Sequence, residues 1–132
     1  MKQFKFLLFI LLASIIIPSC SKDDNDSKSN TDLLTSAPWK YVDFKVAGMS
    51  LLEDCQRDDI ITFSKDFNSV FNPGTMKCDP SDVIEAGTWS FSADEKSLII
   101  DGDSATIASL TSTSLVLTQI ESGFVVEISL QH

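Results

Sequence analysis

Phe124-Val125-Val126-Glu127-Ile128-Ser129-Leu130-Gln131 decides the fold class. Successive side chains of a strand point to opposite faces. Phe124, Val126, Ile128 and Leu130 therefore form one apolar face, and Val125, Glu127, Ser129 and Gln131 the other. Ser122-Gly123 just before is a turn signal, and Leu115 to Ile120 on its far side is again strand-like. Two such runs across a short Gly-containing turn predict a hairpin.

The same grammar continues towards the N-terminus. Strands are predicted at Ala105 to Leu110, Ser97 to Asp101, Val83 to Phe91 (interrupted by Gly87), Phe67 to Phe71, Asp59 to Ser64 and Trp39 to Ala47. Turns fall at Thr111 to Ser114, Gly102-Asp103, Ala93 to Lys96, Lys65-Asp66 and Gly48. The segment from Asn72 to Ser81 contains Asn-Pro-Gly and Asp-Pro, both loop signals. In the first strand, Val42, Phe44 and Val46 are expected opposite Tyr41, Asp43 and Lys45. Nothing after Pro38 carries a helical period. Thr31 to Pro38 has room for one helical turn, with Thr31 or Asp32 as N-cap and Pro38 as its stop. The expected fold is all-β, a small eight-stranded antiparallel up-and-down barrel over residues 31–132. Closure removes exposed strand edges. Eight strands also give an interior that side chains fill or that holds one small ligand.

Residues 1–19 have the three zones of an export signal. Lys2 and Lys5 are basic, Phe6 to Ile17 is apolar except for Ser14, and Pro18-Ser19 breaks the run before Cys20. Twelve residues are too few for a membrane-spanning helix, which needs about 20. A cleaved signal peptide is therefore expected rather than an uncleaved anchor. Ile17-Pro18-Ser19-Cys20 resembles the lipobox of bacterial lipoproteins, which implies that Cys20 is acylated (as with palmitate) and becomes the new N-terminus. Two or more acyl chains give stable membrane anchoring. No residue from 21 to 32 is apolar, so residues 20–30 are expected to be a flexible acidic tether. Lys22-Asp23-Asp24 also resembles the surface-export signal of Bacteroidetes lipoproteins. The expected location is the outer membrane, on the cell surface or on its inner leaflet.

Removing the leader leaves 8 basic and 19 acidic residues, so the charge moves from −9 to −11. Such a chain is not suited to nucleic acid or to docking on anionic lipid by charge. The only histidine is His132 and the only arginine Arg57. Histidine-based triads and metal sites are excluded, and no enzyme, metal or cofactor is expected. With Cys20 assigned to the anchor, Cys55 and Cys78 remain as a pair in an exported protein. They lie at similar distances on either side of the Lys65-Asp66 turn, side by side in an antiparallel hairpin. A disulfide is expected there; a redox-active pair would need closer spacing.

Leu33 to Lys40, Cys55-Gln-Arg-Asp58-Asp59-Ile-Ile-Thr-Phe63, Cys78-Asp79-Pro80, Gly87-Thr88-Trp89-Ser90-Phe91 and Leu115-Val-Leu117 together resemble the lipocalin-like domain of Bacteroidetes lipoproteins. The resemblance covers about residues 31–132 and implies a short eight-stranded barrel. In lipocalins a late arginine packs on the first-strand tryptophan, preceded by Gly-x; here Ala37 replaces the glycine and no arginine follows Arg57. The implied function is a binding or interaction module for a small apolar ligand or a protein partner. The alternative is an accessory protein with a filled barrel.

The candidate ligand-contact or barrel-end aromatics are Trp39, Phe44, Phe63, Trp89, Phe91 and Phe124. The mature chain has six phenylalanines, Phe67 and Phe71 included, and inward placement of most would leave little cavity. Asp58-Asp59, Asp79, Asp82, Glu85, Asp101 and Asp103 lack calcium-loop spacing and are expected in solvated turns. Asp103-Ser104-Ala105 resembles the O-glycosylation site of exported Bacteroidetes proteins, which makes Ser104 a modification candidate at a turn.

Overall fold

A computed structural model describes residues 27–132. The leader (residues 1–19), Cys20 and the tether up to residue 26 lie outside them. The described chain opens with a short helix α1 (Asn30–Leu34). Its N-cap is Ser29, not Thr31 or Asp32: Ser29 is extended, and its Oγ accepts from the Asp32 amide at 3.1 Å. Thr31 is already inside the helix, so it cannot cap it. Asn30, expected as the end of the tether, is helical too.

Nine strands follow. They are β1 (Trp39–Val46), β2 (Met49–Ser50), β3 (Ile60–Phe63), β4 (Asn68–Asn72), β5 (Glu85–Phe91), β6 (Ser97–Ile100), β7 (Asp103–Leu110), β8 (Ser114–Glu121) and β9 (Phe124–Gln131). Eight of them close an antiparallel up-and-down barrel, with β9 pairing back onto β1 from Lys40–Gln131 to Val46–Val126. The strand not foreseen is β2, which folds back on the end of β1. Val83 and Ile84 are not in a strand; β5 starts at Glu85, and both residues stand exposed in the preceding loop. The tips Ala47-Gly48, Asp101-Gly102 and Ser122-Gly123 have positive φ at both residues. That is the backbone of a type I′ hairpin turn, which matches the twist of the strands it joins.

The face assignment in β1 is corrected by a bulge between Tyr41 and Asp43. Tyr41 pairs with the buried Leu130 and packs on the core, while Phe44 pairs with Ile128. The extra residue at Val42 puts Tyr41 and Phe44 on the same inner side, against the strict alternation expected. Asp43 and Lys45 remain outside, where Lys45 bridges Asp43 (3.3 Å) and Glu127 (2.9 Å).

One end of the barrel, the base, carries α1 and the end of β9. Trp39 is fully buried there, and its Nε1 donates to the Leu34 carbonyl at 2.8 Å. The His132 ring lies 3.8 Å from the Trp39 ring, centroid to centroid. It is held by contacts to Pro38 O (3.1 Å) and Ser36 Oγ (3.2 Å). His132 thus occupies the role that a late arginine would fill, and the base is closed without one. Above it Ile61, Phe63, Trp89, Leu98, Leu115, Leu117 and Leu130 complete the core with Leu34 and Trp39.

Cys55 and Cys78 form a disulfide, with Cα atoms 5.1 Å apart. It joins the segment between β2 and β3 to the loop between β4 and β5. In β3–β4 the pairing is centred on residue 66, Phe63 opposite Ser69 and Ile60 opposite Asn72. The two cysteines sit nearly symmetrically about that centre. Closing a loop of 23 residues contributes about 3 kcal/mol in the chain-entropy description. Replacing both cysteines by serine is expected to lower the unfolding free energy by about that amount. Urea denaturation of the variant beside the parent checks this.

Candidate functional site

The barrel is not filled by phenylalanine. Phe63 is buried in the core, but Phe67 and Phe124 are 55% and 56% exposed. Phe44 and Phe71 line a half-open cleft of about 260 Å³, together with Tyr41, Leu52, Gln56, Asp59 and Ile128. The cause lies in the pairing of β1. On one edge it runs along β9 for most of its length. On the other it meets β3 only at Trp39–Ile61 and Lys40–Ile60, while β2 takes its far end. Between these contacts β1 and β3 diverge. The 51–59 segment spans the gap, tied by Leu51 N to Phe44 O (2.7 Å) and Tyr41 N to Asp59 O (3.3 Å).

Two loops frame this wall. Residues 54–56 form a turn of 3₁₀ helix whose capping box joins Glu53 and Gln56, with the Gln56 Oε1 accepting from Glu53 N at 3.0 Å. The Asp58 Oδ2 accepts from Thr75 N (2.7 Å), Thr75 Oγ1 (3.0 Å) and Met76 N (3.1 Å). The amides of Thr75 and Met76 hold the Asp58 carboxyl below the usual carboxylate range. Its Oδ1 is buried without a partner among the described residues. Gly74 has positive φ, and a Cβ there would run into the Asp58 carboxylate, so glycine is required for this approach. The disulfide beside it fastens the same two loops covalently.

Asp59 is the unusual member. It was expected in a solvated turn, yet it is only 9% exposed. Burial, with like charge from Asp58 and Asp82, holds its carboxyl above the ordinary range. Burial and the Asp59 charge likewise push the Tyr41 hydroxyl upward.

Of the six aromatics singled out in the sequence, Phe44 alone lines the cleft. Trp39 serves the base. Trp89 is buried, donates Nε1 to Ser64 O at 2.9 Å, and packs on Phe63, Phe67 and Phe91 at centroid distances of 5.8, 5.3 and 5.3 Å. Phe124 stands exposed at the β8–β9 tip, beside the exposed Ile120 and Val125. Ser104 is exposed, but as the second residue of β7 rather than in the turn itself. Tyr41, Leu52, Gln56, Asp59, Phe71 and Ile128 were not foreseen as a group. Glu53, Cys55 and Cys78 approach one another at metal-binding distances, but both sulfurs are in the disulfide.

The closed eight-stranded antiparallel sheet with a small side cleft defines the class of short up-and-down β-barrels. Residues 35–117, more than half of the chain, match the lipocalin-like domain family, and the chain belongs to it. No curated protein matches it.

An acid whose pKa is raised by folding loses stability as pH rises through that folded value. At pH 7 the Asp59 carboxyl is therefore a cost to the fold. Asp59→Asn is expected to unfold at higher urea than the parent at pH 7. The gap should close as pH falls below about 3.9, the unfolded aspartate value. Urea midpoints measured from pH 3 to pH 7 would test it; a less stable Asp59→Asn at pH 7 contradicts the burial argument.

Proposed function

We propose that the protein is a lipid-anchored binding module of the outer membrane, exposed at the cell surface, that holds a small and mainly apolar molecule. The carrying observation is the cleft. Its walls are Tyr41, Phe44, Leu52, Phe71 and Ile128, in a barrel whose lower half is solid core. Apolar walls with a few polar groups are the common make-up of a ligand site. The activity proposed is binding without chemistry. Among the described residues Asp59 is the one carboxylate lining the cleft, which supports binding over hydrolysis by paired carboxylates.

Anchoring rests on the leader and on Cys20, the lone cysteine at its boundary. Cells fed labelled palmitate should label the parent and not Cys20→Ala; label retained by that variant removes the anchor from the proposal. Native mass spectrometry of protein isolated from its own membrane should show a co-purifying species of a few hundred daltons, released on denaturation. A bare polypeptide mass would favour the accessory reading instead. That reading draws on Ile120, Phe124 and Val125, which are 80%, 56% and 55% exposed at the β8–β9 tip.

A further inference from the structure

The cleft holds more polar chemistry than an apolar ligand needs. Three of its side chains have polar atoms without a hydrogen-bond partner among the described residues. Asp59 is buried, yet its carboxylate accepts no bond from the protein. The Tyr41 hydroxyl has no partner either. Gln56 uses its Oε1 on the Glu53 amide, which leaves its Nε2 unpartnered. These atoms are open to solvent at the cleft rather than sealed in the core, so a ligand entering the cleft can bond to them.

The sign of what would meet them is set by the surroundings. Among the described residues no basic side chain lines the cleft. The only arginine, Arg57, is held by Asp54 at 3.0 Å. The charges that act on Asp59 are those of Asp58 and Asp82, both negative. An anionic ligand would be repelled there, and a cation drawn in. Aromatic walls favour the same sign. Tyr41 and Phe71 meet edge to face at 6.3 Å, with Phe44 lining the same space. Aromatic faces attract a cation within about 6 Å. A bare metal ion is not favoured, because calcium needs about six to eight oxygens and most of this wall is hydrocarbon. At about 260 Å³ the space is smaller than sites for drug-sized ligands, which begin near about 300 Å³.

The geometry points to a small organic cation as the ligand: a protonated amine that pairs with Asp59, on a compact apolar body lying against Tyr41, Phe44 and Phe71. This assignment rests on the small-molecule reading above and gives it a chemical class. Tyr41 and Gln56 add a hydroxyl and an amide donor to the same lining, partners for a second polar atom on the ligand.

The test is isothermal titration calorimetry on the full chain at pH 7, with phenethylamine, phenethyl alcohol and hydrocinnamate as probes of matched shape. The amine is expected to bind at least about tenfold more tightly than the alcohol, the step that one charge-assisted bond supplies. The carboxylate should not bind. In Asp59→Asn the advantage of the amine over the alcohol should vanish. Equal binding of amine and alcohol to the parent overturns the cation and leaves the apolar site standing. An amine affinity unchanged in Asp59→Asn does the same. Failure of all three probes to bind the folded, disulfide-bonded parent overturns the small-molecule reading itself. The probe series on the parent needs no variant, so a misfolded Asp59→Asn would not shelter the proposal.

Discussion

The whole molecule depends on how β1 shares its two edges. A closed sheet requires every strand to be paired on both sides. β1 meets this along one edge with β9, and on the other with β3 for two residue pairs and β2 for two more. The middle of that edge is served by single backbone hydrogen bonds to the 51–59 segment. Closure is thereby achieved without bringing β1 and β3 together along their length. The space left between them is the cleft. Core and cavity have one origin: where β1 is fully paired the barrel is packed, and where it is bridged by a loop the barrel is hollow.

The fastening of that loop follows from the same demand. A loop standing in for a strand has few hydrogen bonds of its own. Here the 51–59 segment gains a capping box, the Asp58 bonds to Thr75 and Met76, and the bridge from Cys55 to Cys78. Gln56 serves twice, with its Oε1 in the capping box and its side chain lining the cleft. The face turned to the cleft is left with Leu52, Gln56 and Asp59, whose polar atoms are largely unengaged.

Much of this was legible in the sequence. Alternation in β9, the Gly-containing tips and the cysteines placed about one turn gave the barrel and its disulfide. What escaped is physical in kind. A bulge adds one residue with no compositional mark, and at Val42 it turned Tyr41 inward. β2 has two residues, too few for any period. Val83 and Ile84 have strand-forming side chains but follow a Pro-rich loop and stay outside the ladder. Two adjacent aspartates, Asp58 and Asp59, read alike in a sequence. In the fold one is bonded to backbone amides and the other faces a cavity. The base closed by a route that motif comparison did not supply, through the ring of His132 on Trp39.

That base brings the two ends of the domain together. Lys40 pairs with Gln131, and Ser36 touches His132, while the Tyr41–Phe71 cleft lies towards the other end of the same strands. The barrel is a ring with a single seam, and the seam lies beside Trp39. A ring so joined has no preferred starting point. The chain could be stitched at the seam and cut at Ser122-Gly123, an exposed hairpin tip, with every strand keeping its neighbours. In engineering terms the cleft is a portable insert, and the order in which the strands are written is independent of what it holds.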